Sequence, residues 1–217
     1  MCGRTTLASP VDQLKEIFDL EDVPPLTPRY NIAPTQMLPV MRERGRLELV
    51  RWGLVINASS ARRPLINVRS ESVARNRAFV ESFRNRRCLV LVDGFYEWKT
   101  EGKRRAPFIL RRPDHQPFAL AAIWDTVLDA KGTPLPTCAI LTAPALAPIL
   151  DLHHRQPIVI PKRSFAQWLT PNAPARDLLH IPQNDLIATE VSDRVNRMEN
   201  DDEGCVREEG SGQLGFG

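Results

Sequence analysis

Along most of the chain, apolar residues alternate with polar ones or run together in short blocks, and the helical three-to-four spacing is the exception. Met37–Met41 and Leu47–Trp52 alternate as strands, and Arg42-Glu43-Arg44-Gly45 between them predicts the turn of a hairpin. Arg87–Val92 is apolar almost throughout, which predicts a buried strand, and Asp93-Gly94 predicts a turn into Phe95–Lys99. Pro107–Arg112, Pro117–Trp124, Thr137–Leu141, Ile158–Ile160 and Leu186–Val191 predict further strands. Helices are fewer. One follows Ser9-Pro10, with Ser9 as N-cap and Val11, Leu14 and Phe18 as its apolar face. Others are predicted through Phe79 and Phe83, over Ala145–Leu152, at Ser164–Leu169 with Ser164 as cap, and as a turn at Pro174–Leu179. Tyr30–Gln36 reads as a polar loop, and Asn67–Glu71 as the loop leading into the second helix. Strands without regular β-α alternation predict an α+β fold: one domain, mainly antiparallel, a curled sheet or partial β-barrel with flanking helices.

Length and composition narrow this picture. A chain of 217 residues suits one sizeable core, and no linker divides it, so a domain is expected over residues 1–200, followed by an acidic, Gly/Ser-containing tail over 201–217 that is expected to be flexible. No run approaches the roughly 20 apolar residues of a membrane span, and the start lacks a secretory signal, which predicts a cytoplasmic protein. The four cysteines, Cys2, Cys88, Cys138 and Cys205, are far apart and form no C-x-x-C pair, so neither a zinc site nor a disulfide framework is expected, and no metal or cofactor. P-loop, dinucleotide-binding and α/β-hydrolase motifs are missing from the sequence. Net charge is only +3, but arginines cluster between Arg62 and Arg112. Such clusters are either solvated faces or guanidinium grips for phosphate.

Two residues carry candidate chemistry. If Met1 is removed, Cys2 offers an α-amine and a thiol on adjacent carbons. The amine, with an ordinary pKa of about 7.7–8.0, is largely neutral near physiological pH, and the pair can close on an aldehyde as a five-membered thiazolidine. Position alone does not establish this, since a cysteine after the initiator is commonly inert. Glu97, between Tyr96 and Trp98, is either an outward charge or an acid whose pKa is raised against aromatic walls.

Taken in order, Met1-Cys2-Gly3-Arg4, Tyr30–Gln36, Arg51-Trp52-Gly53-Leu54, Asn67–Glu71, Arg87-Cys88-Leu89 with Asp93–Trp98, and His153-His154-Arg155-Gln156-Pro157 resemble the motifs of the SRAP family, the SOS response-associated peptidases or abasic-site processing proteins. The resemblance spans Cys2 to about Asn196. It implies an enzyme that crosslinks to abasic sites in single-stranded DNA through a thiazolidine on mature Cys2, shielding the lesion, with lyase-like reversal and self-removal of Met1. By the same resemblance, Asn67 orients the cysteine and the sugar, Glu97 is acid/base, and His153 opens the sugar ring. Arg4, Asn31, Pro34, Trp52, Arg69, Arg87 and Arg155 fall at DNA-contacting positions, Trp52 against a base and the arginines on phosphate. His154 occupies a variable position. Gln156, Ile56 and Leu91-Val92 depart from the family pattern, and strand grip is where divergence is expected. The implied partner is single-stranded DNA bearing an abasic site, bound by a monomer that is nucleoid-associated when on DNA. Two other readings remain open: a cysteine peptidase of the N-terminal-nucleophile kind, and a non-catalytic single-strand nucleic-acid module.

Overall fold

The computed structural model describes residues 2–56, 64–180 and 185–209. In chain order the elements begin with β1 (Thr5–Leu7), α1 (Val11–Phe18), β2 (Arg29–Ile32), β3 (Met37–Glu43) and β4 (Arg46–Trp52). Next come β5 (Asn67–Arg69), α2 (Ser70–Val73), α3 (Val80–Asn85), β6 (Arg87–Val92), β7 (Gly94–Glu101) and β8 (Arg104–Arg111). The remainder holds β9 (Phe118–Leu128), β10 (Pro134–Pro144), β11 (Arg155–Pro157), β12 (Val159–Ile160), α4 (Phe165–Leu169) and β13 (Ile187–Glu190).

These strands make two sheets. One is antiparallel, in the order β13-β8-β7-β1-β2. In the other, β10, β4, β3, β6 and β9 pair in turn and β9 returns to β10, so five strands close a barrel in which only β10–β4 is parallel. The expected α+β domain with a curled sheet is present, and the curl closes into a barrel with β5, β11 and β12 attached at its margin. Alternation along the strands divides the core. Leu38, Val40, Val50, Trp52, Val90, Leu120 and Ile140 of the barrel share one cluster with Phe95, Phe108 and Leu110 of the second sheet. The opposite set, including Leu89, Leu91, Ala121 and Leu141, packs with Leu14, Phe18, Phe83, Phe165 and Trp168 from the helices.

Backbone geometry fixes two corners of the chain. Gly53 leaves β4 at φ +137°, where a side chain would be strained and its Cβ would lie 2.9 Å from Pro64. Gly94, where the chain passes from barrel to second sheet, lies so close to β8 that a Cβ would meet the Leu110 carbonyl at 2.9 Å.

Several expectations are corrected by tertiary contacts. Tyr30-Asn31 is strand rather than loop: β2 pairs with β1, and the Asp201 carboxylate accepts the N–H groups of Tyr30 (2.6 Å) and Asn31 (2.9 Å). Asn67–Arg69 is also strand, paired with β10. Ser9 does not cap α1; its Oγ donates to Asp93 at 2.5 Å, while the Pro10 carbonyl takes the N–H of Leu14. Ser164 precedes α4 without a side-chain cap. Over Ala145–Leu152 only a 3-10 turn forms, at Ile149–Asp151, because Pro148 brings no N–H to a helix there. Residues 201–209 are tied to the domain through buried Cys205 and a bridge from Glu208 to Val191, whereas 210–217 of the expected tail lie outside the described residues. No helix among the described residues is long and apolar enough to cross a membrane.

Candidate functional site

The segment before β1 runs beside β7, since Tyr96 N–H donates to the Arg4 carbonyl at 2.9 Å and Thr5 stands opposite Phe95. Cys2 is thereby carried into the core between barrel and second sheet, with no exposed surface. Parallel pairing of β5 with β10 brings Asn67 up to it, and Asn67 Nδ2 donates to the Cys2 carbonyl at 2.7 Å. Asn67 Oδ1 is buried and takes no hydrogen bond from any described residue, leaving an acceptor beside Cys2.

Next to this contact lies a cleft of about 820 Å³, lined by Gly3, Arg4, Glu97, Trp98, Lys99 and His153 among others. Alternation on β7 puts Glu97 on the face of Phe95, toward the barrel, and only 3% of its surface is exposed. Burial raises its pKa, so the acid form persists to higher pH than for a solvated glutamate. The Cys2 thiol is also raised, first by burial and then by the nearby Glu97 charge, so the thiol is not a standing thiolate. His153 follows the 3-10 turn Ile149–Asp151, its N–H bonded to the Ile149 carbonyl at 2.8 Å. The Arg155 N–H donates to His153 Nδ1 at 3.0 Å and the Arg155 carbonyl lies 3.3 Å from the same nitrogen, so the backbone of β11 holds the ring in place. Burial lowers the His153 pKa, favouring the neutral ring. His154 stacks on His153 with ring centres 4.2 Å apart. A buried carboxylic acid, a neutral imidazole and an oriented cysteine can together move protons around a carbonyl centre. Among the described residues no group of three His, Cys, Asp or Glu side chains gathers as a metal site.

The family model described as SOS response associated peptidase (SRAP) matches residues 1–198. The chain belongs to the SRAP family. Abasic site processing protein YoaM of Bacillus subtilis is 31% identical to this SRAP chain over 215 residues, which is 92% of this chain and 95% of YoaM. Abasic site processing protein YedK of Escherichia coli is 32% identical over 178 residues, covering 78% of this chain and 79% of YedK. A crystal structure of a Bacteroides thetaiotaomicron protein has the same fold, with TM-score 0.83 at 19% identity over 96% of this chain and 100% of that one.

The structure brings Cys2, Asn67, Glu97 and His153 of this SRAP protein to one place, with Arg4 at its rim. Most of the positions expected to touch DNA lie elsewhere or are occupied. Trp52 is wholly buried and donates its indole N–H to the Ile66 carbonyl at 2.9 Å, so it presents no face to a base. The buried Arg87 guanidinium donates to the carbonyls of Phe83 (2.7 Å), Arg84 (3.0 Å), Trp168 (2.6 Å) and Thr170, tying the ends of α3 and α4 together. Arg155 is buried against Glu71 and the Thr142 carbonyl. Asn31 is buried too, donating to the carbonyls of Arg197 (3.0 Å) and Asn200 (2.6 Å) while its Oδ1 accepts from Arg4 at 2.5 Å. Pro34 is half-buried at the turn before β3, and Arg69 remains exposed. Conversely Trp98, Lys99, Arg105 and Asn196 line the cleft without having been singled out. Lys99 could have been found as the i+2 neighbour of Glu97 on a strand, but Arg105 and Asn196 arrive by pairing and packing that no local pattern announces.

Proposed function

We propose that this SRAP protein processes abasic sites in single-stranded DNA by forming a covalent thiazolidine with Cys2. The names of its relatives as abasic site processing proteins supply the lesion, and the observation that carries the chemistry is Asn67 gripping the Cys2 carbonyl beside a cleft lined by Glu97 and His153. Removal of Met1, which the same residues catalyse in this reading, frees the α-amine. His153, as a neutral imidazole, takes the C1′ hydroxyl proton and passes it to the sugar ring oxygen as the ring opens and C1′ becomes an aldehyde. The amine attacks C1′, Glu97 in its acid form protonates the hydroxyl, one water leaves, and the Glu97 carboxylate takes the nitrogen's proton back to leave the imine. The thiol then adds to the imine carbon and its proton passes to the nitrogen. The sum is amine, thiol and aldehyde joined with loss of one water and no redox change. A thiol held away from the thiolate state suits this order, amine first and sulfur second, and ill suits a peptidase that relies on a ready thiolate.

Incubating the mature protein with a single-stranded oligonucleotide bearing one abasic site should give a band that survives denaturation. Cys2→Ala should give none, and a wild type without the band would contradict the proposal.

A further inference from the structure

The mouth of the cleft carries a feature that the assigned catalytic residues do not use. Trp98 lies on β7 opposite Pro107 of β8, and Arg105 is two positions along β8 on the same face. The Arg105 guanidinium carbon sits 5.0 Å from the Trp98 ring centre, and Arg4, from the segment on the other side of β7, sits 5.7 Å from it. The ring itself is fixed, because its N–H donates to Asn196 Oδ1 at 2.6 Å. Two cations therefore meet at one immobilised indole, but they differ in what else they do. Arg4 is half-buried, and its Nη1 is spent on Asn31 Oδ1 and on the Val195 carbonyl at 2.9 Å. Arg105 is exposed, and among the described residues no carboxylate lies within ion-pair distance of it. A guanidinium lying over a ring uses its π face and leaves its N–H groups, which lie in its own plane, available for an oxyanion.

We propose that Arg105, steadied on Trp98, is the arginine that grips a backbone phosphate of the strand at this cleft, while Arg4 holds the protein's own amino-terminal segment in place. This rests on the reading of the cleft as the single-strand site. Glu97 and His153 line the same cleft, so a phosphate held at its mouth would set the distance at which the sugar reaches Cys2. The site takes a phosphodiester without regard to the base, because every donor involved faces the backbone charge.

Titrating undamaged single-stranded DNA, in which no crosslink can form, isolates the contact. Arg105→Ala should weaken binding on the order of tenfold and make the plot of log affinity against log salt shallower by about 0.7, the signature of one lost phosphate contact on a single strand. Arg105→Lys keeps the charge and should keep the salt slope while losing part of the affinity, which a role confined to packing would not produce. Arg163→Ala, an equal change of net charge at an exposed residue outside this cleft, should match the wild type. Equal affinity and slope for Arg105→Ala and the wild type, or an equal change in Arg163→Ala, would overturn the assignment to Arg105 alone. Failure of the wild type to crosslink an abasic strand would instead strike the proposed function, and failure to bind any strand would overturn both.

Discussion

Burial settles what each reactive residue can do. Glu97, only 3% exposed, has its pKa raised by desolvation, which keeps a proton donor in reach of Cys2 to higher pH than a solvated glutamate would. If that proton is used, crosslinking slows as pH rises through the elevated Glu97 pKa. Glu97→Gln, with no titrating group there, should crosslink slowly at every pH and lack this alkaline fall, while binding undamaged strand as well as the wild type does. A Glu97→Gln profile that retains the fall would remove Glu97 from the proton transfer. The sequence singles out Cys2, Asn67, Glu97 and His153, which the fold brings to one cleft, but it does not reveal exposure. Trp52 and Arg87 look like nucleic-acid contacts when read as letters, yet one fills the core and the other satisfies helix-end carbonyls. Trp52→Ala should accordingly cost about 3–5 kcal/mol in denaturant unfolding, the range for a large aromatic removed from a packed core. Loss of DNA affinity at unchanged stability would contradict that placement.

Among the elements, the legible ones are those whose partner is close in sequence or whose pattern is strong. The β3–β4 hairpin shows in its alternation and in Gly45, and β6 in its apolar run. β1 and β5 have three residues each, too few for a period, and their partners lie far along the chain, Phe95 for Thr5 and Ile140 for Asn67. Those two strands nevertheless deliver Cys2 and Asn67. The contact of α2 with β11 has a measurable signature. Arg155 hydrogen-bonds Glu71 and holds its carboxyl at about 2, against an ordinary 4.5. A depressed carboxyl pKa contributes stability that is complete above the unfolded value and is lost as pH falls from about 4.5 toward 2. Glu71→Gln should therefore lower stability at neutral pH by on the order of 1 kcal/mol, allowing for solvent around a half-exposed carboxylate. The gap from wild type should close on acidification; a gap that stays constant below pH 4 would contradict the ion pair.

At the scale of the molecule, the site forms where a closed barrel meets an antiparallel sheet, and each contributes half. The barrel side supplies Asn67 and, on β11, the Arg155 backbone that fixes His153, while the sheet supplies Glu97 and the run of chain that carries Cys2. The segment around Val195–Asp201 locks the arrangement by receiving Arg4 and Asn31 and capping β2. Alternation predicted a curled, mainly antiparallel sheet, but closure through the parallel β10–β4 pair joins strands more than eighty residues apart and leaves no local trace. Folding therefore gathers residues 2, 67, 97 and 153 at one cleft, and the proposed function is that they capture an aldehyde there. Intact-mass measurement of the denatured adduct with a short abasic oligonucleotide tests it most directly. The adduct should have the mass of protein lacking Met1 plus the strand less one water, form without added reductant, and carry the strand on Cys2 after digestion. An adduct that requires reduction, or that lies on any residue other than Cys2, would contradict it.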